Sequence, residues 1–343
     1  MNEDDEILYQ RVGRAGILTL NRPRALNALN YRMCIAIHRQ LIEAAADPDV
    51  EVVIVEGAGD RAFCAGGDVV AVRAAGMVGS PEYEAFFHDE YRLNQAIAHF
   101  PKPYVALIDG ITMGGGVGIS IHAPYRVATE RTLFAMPEAG IGFMTDVGST
   151  HALPRLPGEL GTFAGMTGAR LGPGDCRFAG IATHHVPAAE LPLLKERLAD
   201  ARLPVAQILE TFDVAVPAES LEALREGIDY HFGHDSVEAI LASLDEVDAW
   251  AEGQAALLRT LSPTSLKLIL HGLREGDGDT IEECLRREYR IACHMPNAHD
   301  FFEGVRAQLV DKDRAPRWQP ATLAEVDIAP YLVAPASGDL DFD

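Results

Sequence analysis

Residues 111–118 constrain this chain more than any other segment, because they read Ile-Thr-Met-Gly-Gly-Gly-Val-Gly. They follow an apolar run, Tyr104–Ile108, that indicates a buried strand, and a helix is expected to continue over residues 119–122. Glycine has no Cβ, so its backbone can approach a ligand closely. Amides at a helix N-terminus have no acceptor within the helix and carry partial positive charge. The segment therefore predicts either an amide site for an anion or oxyanion, or tight packing of the helix.

Nucleotide-binding loops and a serine nucleophile fit this segment poorly. A G-x-G-x-x-G motif starting at Gly114 needs glycine where Ile119 stands, and one starting at Gly116 needs it where Ile121 stands. No Gly-Lys-Ser/Thr follows, which excludes a P-loop. Ser120 lacks the final glycine of a G-x-S-x-G elbow and is expected to lie within the helix, which argues against a nucleophilic serine.

The first half of the chain alternates strand-like and helix-like segments. Apolar runs at residues 17–20 and 52–55 predict strands, with the second buried on both faces. Apolar residues at helical spacing follow Asn30, a suitable N-cap, and Asp47 with Pro48 is expected to end that helix. This alternation predicts an α/β core.

From about Leu191 onward, leucine, alanine and glutamate dominate and β-branched runs cease. Ser262 before Pro263 is typical of a helix start, and Thr280 with Glu283 matches a capping box; apolar residues at helical spacing follow both. The second half is therefore expected to be helical. The predicted organisation is a core over residues 1–205, a helical region over residues 206–330, and a small, acidic tail over residues 331–343 that frays.

Composition excludes several classes of function. The formal net charge of this 343-residue chain is −22, whereas non-specific nucleic-acid binding requires basic surface. No apolar run is long enough to span a membrane. The N-terminus, Met-Asn-Glu-Asp-Asp-Glu, differs from secretory and mitochondrial leaders, so a cytoplasmic location is expected. The five cysteines form no C-x-x-C pair, are expected to be reduced thiols, and show no metal-ligand spacing.

A second loop also exposes backbone amides after a predicted buried strand. It reads Ala62-Phe63-Cys64-Ala65-Gly66-Gly67-Asp68. Two such loops, at the ends of neighbouring strands, can direct two N–H donors at one oxygen. Stabilising a thioester enolate or a tetrahedral oxyanion requires that arrangement.

Three acidic residues are candidates for proton transfer or substrate binding. Glu138 follows Met136-Pro137, Asp146 lies eight residues later, and Glu90 lies on a helical stretch. A carboxyl group in apolar surroundings has a raised pKa and can act as acid or base. The structural alternatives are that Glu138 starts a helix, that Asp146 caps one, and that Glu90 faces solvent.

Together these segments resemble the crotonase, or enoyl-CoA hydratase/isomerase, superfamily, over residues 12–318. Residues 63–68, paired with residues 110–116, carry the resemblance, as does Leu-Asn-Arg-Pro-Arg-Ala-Leu-Asn-Ala-Leu at residues 20–29. Further segments are similar to the 3-hydroxyisobutyryl-CoA hydrolase subgroup in particular: residues 102–107, 126–130, 134–138, 262–267, 303–307 and 311–313.

The resemblance implies a spiral of ββα units with a helical C-terminal region, and an acyl-CoA substrate. Coenzyme A would be part of that substrate, so no separate cofactor and no metal is implied. The implied catalytic groups are the oxyanion-binding amides of Gly67 and Gly115, the carboxylate of Glu138, and its acidic partner Asp146. The implied substrate contacts are Glu90, Gly66, Arg24 near phosphate, and Ala65 near the adenine.

One difference separates hydrolysis from hydration in this superfamily. Hydratases place two glutamates around a water, and Gly118 stands where the first of them would follow the glycine run. Only the second, Glu138, remains, whereas adding water to a double bond needs both a base and an acid. The resemblance therefore implies hydrolysis of a short hydroxyacyl-CoA, 3-hydroxyisobutyryl-CoA, as in valine breakdown. An enoyl-CoA hydratase or isomerase, or a non-catalytic acyl-CoA-binding protein, remains an alternative.

Three questions stay open at this level. Glu138 can act as a base on water or attack the thioester itself. Thr145 stands where the subgroup usually has proline, in a loop that lies beside the acyl pocket of relatives, so the acyl preference is undecided. The superfamily often forms trimers or hexamers, and the apolar helix stripes around Leu266 and Leu285 are compatible with an oligomer or with intrachain packing.

Overall fold

A hairpin and four added parallel strands form the larger sheet in the computed structural model, which describes residues 6–80, 82–245 and 247–342. The strands β1 (Ile7–Val12) and β2 (Ala15–Leu20) pair antiparallel, with Ile7 opposite Leu20. The parallel strands are β3 (Val52–Gly57), β5 (Tyr104–Ile108), β7 (Tyr125–Ala128) and β9 (His184–His185). The order β1-β2-β3-β5-β7-β9 confirms the predicted α/β core.

A second, three-stranded sheet lies in segments that the sequence analysis interprets mostly as loops. Its strands are β4 (Ala62–Cys64), β6 (Ile111–Met113) and β8 (Leu133–Ala135), in the order β4-β6-β8. Strands β4 and β6 are parallel, with Ala62 opposite Ile111. The two glycine-containing loops therefore leave from the same end of adjacent strands.

Fifteen α-helices lie within the described residues, and none is long and apolar enough to cross a membrane. The first eight are α1 (Tyr31–Ala46), α2 (Val69–Met77), α3 (Glu82–Ala98), α4 (Gly115–Gly118), α5 (Ser149–Ala152), α6 (Leu160–Thr167), α7 (Pro173–Phe178) and α8 (Leu191–Asp200). The others are α9 (Val205–Phe212), α10 (Leu221–Phe232), α11 (Val237–Leu244), α12 (Ala249–Leu258), α13 (Pro263–Gly276), α14 (Ile281–His294) and α15 (His299–Val305).

Helix caps follow the predicted sequence signals. Asn30 accepts a hydrogen bond from Met33 N at the start of α1, Ser262 caps α13, and Thr280 forms a capping box with Glu283 at the start of α14. The predicted helix over residues 119–122 is wrong, because α4 ends at Gly118 and the chain continues in turns.

Two compact units, each built from three segments, divide the chain. Unit 1 comprises the residues up to Gly67, Arg92–Phe134 and Arg170–Glu222; unit 2 comprises Asp68–Tyr91, Ala135–Ala169 and the residues from Ala223 onward. In unit 1, Leu194 and Leu198 of α8 and Leu209 of α9 pack in one core with Ile54 and Val105 of the sheet. These interleaved units do not test the predicted partition at residue 205, which concerns continuous segments.

In unit 2, α13 and α14 bury their apolar stripes, including Leu266 and Leu285. The predicted fraying of the tail is wrong, because residues 333–342 pack on α14. Leu340 is only 1% exposed, and Asp339 pairs with Arg290 at 2.5 Å. Burial of one apolar side chain and neutralisation of an acidic one explain why this short segment is held.

Candidate active site

The two glycine-containing loops converge in unit 1. They follow the parallel strands β4 and β6, and a Cβ placed on Gly66 would lie 3.9 Å from the amide nitrogen of Gly115. Gly66 has φ +118°, a conformation that favours glycine. The approach of the two loops brings the predicted donors Gly67 and Gly115 to the same end of this sheet.

Both predicted donor amides lie outside the backbone pairing that holds their loops. Gly115 is the first residue of α4, so its N–H has no acceptor within the helix. Gly67 forms a parallel bridge with Leu29, but Leu29 N donates to the carbonyl of Gly66, at 2.8 Å. The Gly67 amide takes no part in that hydrogen bond. That these two N–H groups bind one oxygen stays a prediction.

Close packing, the other interpretation of the glycine run, applies to a different glycine. A Cβ on Gly116 would lie 2.2 Å from the carbonyl oxygen of Cys64, so only glycine fits there. Ser120 donates its hydroxyl to Gly116 O at 2.8 Å and is buried, which agrees with the rejection of a serine nucleophile.

The predicted coenzyme A contacts lie on connected turns of unit 1. Arg24 is exposed in a 3₁₀ turn, Pro23–Ala25, and Ala65 N donates to Leu26 O at 3.0 Å. Asn27 is not among the predicted site residues, but its buried amide donates to Ala58 O and Ala62 O. Asn27 thereby ties the turn that carries Arg24 to β4.

Glu138 is the first residue of a 3₁₀ turn, Glu138–Ile141, in unit 2, so its predicted helix-start position is confirmed. Its side chain is only 6% exposed, and its Oε2 has no hydrogen-bond partner within the described residues. Burial, and then the charge of Asp146, raise the pKa of Glu138 well above its ordinary value. A buried carboxyl with an unpartnered oxygen and a raised pKa has the properties of a proton acceptor.

Asp146 lies beside Glu138 and is 5% exposed. Tyr91 Oη donates to its Oδ2 at 2.7 Å. Burial raises the pKa of Asp146 to about 7, although the hydrogen bond from Tyr91 opposes that shift. Asp146 does not cap a helix with its side chain, because the N-cap of α5 is Gly148.

Glu90 is 2% exposed, so the alternative that it faces solvent is wrong. It lies on a face of α3 that also carries the buried Phe87 and Tyr91, and the Phe87 ring stacks on Phe143 at 5.6 Å. This aromatic packing explains why an acidic residue on the helix is enclosed. Burial, and then the charge of Asp146, raise the pKa of Glu90 well above its ordinary value.

Two further members of this carboxyl cluster, Tyr91 and Glu288, are not among the predicted site residues. Glu288 is fully buried in α14, and burial raises its pKa to about 8. It lies seven residues after the apolar Ile281, at a position where the helical spacing calls for another apolar side chain. That break in the stripe was the available signal. The sequence carries no such signal at Tyr91, because tyrosine is common at buried positions of a helix.

The family described as Enoyl-CoA hydratase/isomerase matches residues 15–331 of this chain. Among curated relatives, the 3-hydroxyisobutyryl-CoA hydrolase, mitochondrial, of Danio rerio is 47% identical over 94% of this chain and 87% of its own length. The protein of the same name from Homo sapiens is 43% identical, over 98% and 91%. These mitochondrial relatives contradict the cytoplasmic location expected from the acidic N-terminus, whose residues 1–5 lie outside the described part of the structure.

Two solved structures share the fold over nearly the whole chain. A carnitinyl-CoA dehydratase from Mycobacterium thermoresistibile is 40% identical, with a TM-score of 0.93 and coverage of 99% of both chains. An enoyl-CoA hydratase from Rhodobacter sphaeroides is also 40% identical, with a TM-score of 0.91 and coverage of 98% of this chain and 100% of its own. The predicted crotonase-like fold is therefore confirmed.

Proposed function

The chain belongs to the enoyl-CoA hydratase/isomerase family, and we propose that it hydrolyses 3-hydroxyisobutyryl-CoA to 3-hydroxyisobutyrate and coenzyme A. The observation that carries this choice within the family is that only one of the two glutamates that hydratases place around a water is present. Glu138 is buried with an unpartnered oxygen, whereas Gly118, at the end of α4, has no side chain to act as a second acid or base. The names of the curated relatives support the same reaction.

The proposed chemistry requires an oxyanion site, a nucleophile and a thiolate leaving group. The amides of Gly67 and Gly115 would bind the thioester oxygen and stabilise the negative charge that develops on it. Glu138, as the carboxylate, would take a proton from water while the water oxygen bonds to the carbonyl carbon. Collapse of the tetrahedral intermediate breaks the C–S bond, and the thiolate takes the proton from Glu138. Hydrolysis in this form needs no cofactor and no metal.

A direct attack by Glu138 on the carbonyl carbon is the second route. It would expel the thiolate first and leave a mixed anhydride, which water then hydrolyses. Label in the Glu138 carboxyl group after a single turnover in ¹⁸O-labelled water would establish the anhydride, since water must then have attacked the Glu138 carbonyl carbon. Water that attacks the acyl carbon leaves Glu138 unlabelled on either route, so rapid-quench mass spectrometry for an acyl-enzyme decides between the routes in that case.

The remaining site residues have proposed roles in substrate binding. Arg24, exposed on its turn, would pair with a coenzyme A phosphate, Ala65 would lie near the adenine, and Gly66 would contact the substrate. Asp146, buried beside Glu138, would orient the hydroxyacyl group or relay a proton. Glu90, buried beside Asp146, would contact the substrate.

Thr145 bears on acyl preference, since its hydroxyl donates to Gly165 O at 3.2 Å. The hydroxyl is therefore engaged by the backbone of α6, and the residue adds no free polar group beside Asp146. We propose that the loop accepts the same hydroxyacyl group despite lacking the usual proline. The oligomeric state, expected to be a trimer or hexamer, is open to light scattering on the purified protein.

Enoyl-CoA hydration is the second candidate, because the two solved structures are named as a dehydratase and a hydratase. Three thioesters distinguish the reactions: 3-hydroxyisobutyryl-CoA, 3-hydroxypropionyl-CoA and crotonyl-CoA. We expect free thiol from the first two and unchanged absorbance with the third. Rapid loss of the crotonyl-CoA absorbance without thiol release would establish the hydratase instead. Binding of all three without turnover would indicate a non-catalytic acyl-CoA-binding protein.

A further inference from the structure

Glu288 binds the loop that follows Asp146 through three hydrogen bonds. Gly148 N donates to its Oε2 at 2.6 Å, and Thr150 donates to its Oε1 from the backbone N at 3.0 Å and from Oγ1 at 2.6 Å. All three donors lie within four residues of Asp146, while Glu288 is on α14, 140 residues from Gly148. Both oxygens of one buried carboxylate therefore hold this short loop.

The loop has a backbone conformation that its own sequence disfavours. Val147 has φ +57°, in the left-handed region that a β-branched residue rarely adopts, and Gly148 follows with φ +78°. Such a conformation persists only where surrounding contacts hold it. Ser149 N donates to Asp146 O at 2.9 Å, which closes the turn directly on the backbone of Asp146.

Packing against α13 fixes the other side of the loop. A Cβ on Gly276 would lie 1.9 Å from Thr150 O, and one on Gly272 would lie 2.9 Å from Thr150 Cγ2. Thr150 is thus enclosed between α13 and Glu288. A displacement of Glu288 would be transmitted along residues 147–149 to the Asp146 carboxyl group.

From these contacts we infer that Glu288 is a positioning residue for the proposed hydrolysis: it sets the place of the Asp146 carboxyl by holding residues 148–150. A carboxylate suits this role because it offers two acceptor oxygens and no donor, and three donors point at it. Glutamine in its place would turn an NH₂ group towards at least one of those donors. The loop would then have to move, and the Asp146 carboxyl with it.

Glu288→Gln tests the inference through kinetics. We expect kcat for thiol release to fall about 10- to 100-fold, as for small misplacements of a reacting group, with KM nearly unchanged. In an Asp146→Asn background, Glu288→Gln should lower kcat almost no further, since both substitutions act through the Asp146 carboxyl group. Glu283→Gln is the matched control, because it is on the same helix and glutamine preserves its capping box with Thr280.

A purely structural Glu288 gives different results. In one such result, Glu288→Gln lowers the melting temperature while the folded enzyme keeps its kcat. In the other, Glu288→Gln lowers kcat by the same factor in the wild-type and Asp146→Asn backgrounds. Either result overturns the inference. If Glu288→Gln does not fold, Thr150→Val removes one of the three hydrogen bonds and should show a smaller loss with the same dependence on Asp146.

Failure of the proposed function is separable from failure of this inference. If the wild-type protein releases no thiol from any acyl-CoA, the proposed function is wrong, and the crystal structure of Glu288→Gln decides the inference alone. A displaced Asp146 carboxyl would support positioning. A Tyr91 Oη to Asp146 Oδ2 distance still at 2.7 Å would overturn it.

Discussion

Tyr91 and Asp146 form a hydrogen bond with both groups buried, in which the phenol donates to the carboxylate at 2.7 Å. Two effects of opposite sign act on the acid. Burial raises its pKa, the phenol lowers it, and the result is about 7. Tyr91 thereby increases the ionised fraction of Asp146 near neutral pH.

Tyr91→Phe should raise the pKa of Asp146, because the charged form loses a donor. A hydrogen bond to a charged group contributes about 1.5–3 kcal/mol, which corresponds to about one to two pH units. If catalysis requires ionised Asp146, the acidic limb of the kcat/KM profile moves upward by that amount. Tyr83→Phe, on the same helix, is the control, since its hydroxyl bonds Asn297 and Glu84. An unshifted limb in Tyr91→Phe would show that Asp146 does not control the rate.

Glu138→Gln should abolish most thiol release, by about 10²- to 10⁴-fold in kcat, because glutamine cannot accept the proton or attack the carbonyl. Binding of coenzyme A, measured by calorimetry, should persist, since the change is isosteric. Glu130→Gln, an exposed glutamate whose carboxylate accepts from Ala188 N, should retain full activity. Normal turnover by Glu138→Gln would remove this residue from the mechanism.

The stability of the folded chain should fall as pH rises from about 4 to about 7, in part through Asp146. Its folded pKa of about 7 exceeds the ordinary value of 3.8, so the folded state binds the proton more tightly. The resulting stabilisation is complete below the ordinary pKa and is lost as pH passes through 7. Asp146→Asn should flatten this slope in urea titrations, whereas the exposed Asp60→Asn should not. Equal slopes in all three proteins would contradict the raised pKa.

Gly116→Ala should destabilise the protein by about 1–3 kcal/mol, because the added methyl group would overlap Cys64 O. Gly253 provides the matched control: it lies within α12 with no atom inside 4 Å of an added Cβ. Gly253→Ala should stabilise by about 0.5–1 kcal/mol through helix propensity. Thermal unfolding measures both changes, and a neutral Gly116→Ala would mean that strand β4 moves to accommodate the added methyl group without loss of stability.

Leu340→Ala should cost about 2 kcal/mol or more, because Leu340 is buried against α14. Val333→Ala, at an exposed position, should change the free energy of unfolding by less than about 0.5 kcal/mol. Equal stability of Leu340→Ala and wild type in denaturant titrations would restore the frayed tail that the sequence predicted.

Local signals predicted local structure well. The caps at Asn30, Ser262 and Thr280 and the buried strands β3 and β5 depend on neighbouring residues, so a short window contains the necessary information. Strands β4, β6 and β8 have three residues each, too few to show an alternating pattern. They form because they pair with one another across the chain, which no short window records.

The carboxyl cluster shows the same difference between features that the local sequence predicts and features that depend on contacts between distant residues. The resemblance singled out Glu138, Asp146 and Glu90, but neither their burial nor their effect on one another was readable. The hydrogen bond of Tyr91 to Asp146 joins residues 55 apart, and that of Thr150 to Glu288 joins residues 138 apart. Contacts of that separation arise only when the fold is complete, and they set the chemistry of the acids.

The buried acids also make the net charge of the folded chain differ from its formal value. The formal value of −22 counts every carboxyl as ionised, yet burial raises the pKa of Glu90, Glu138 and Asp146. Near neutral pH the folded chain therefore retains protons that the unfolded chain releases. Unfolding becomes a proton-releasing reaction, and its calorimetric enthalpy includes the heat of protonating the buffer. Two buffers with different ionisation enthalpies would count those protons directly.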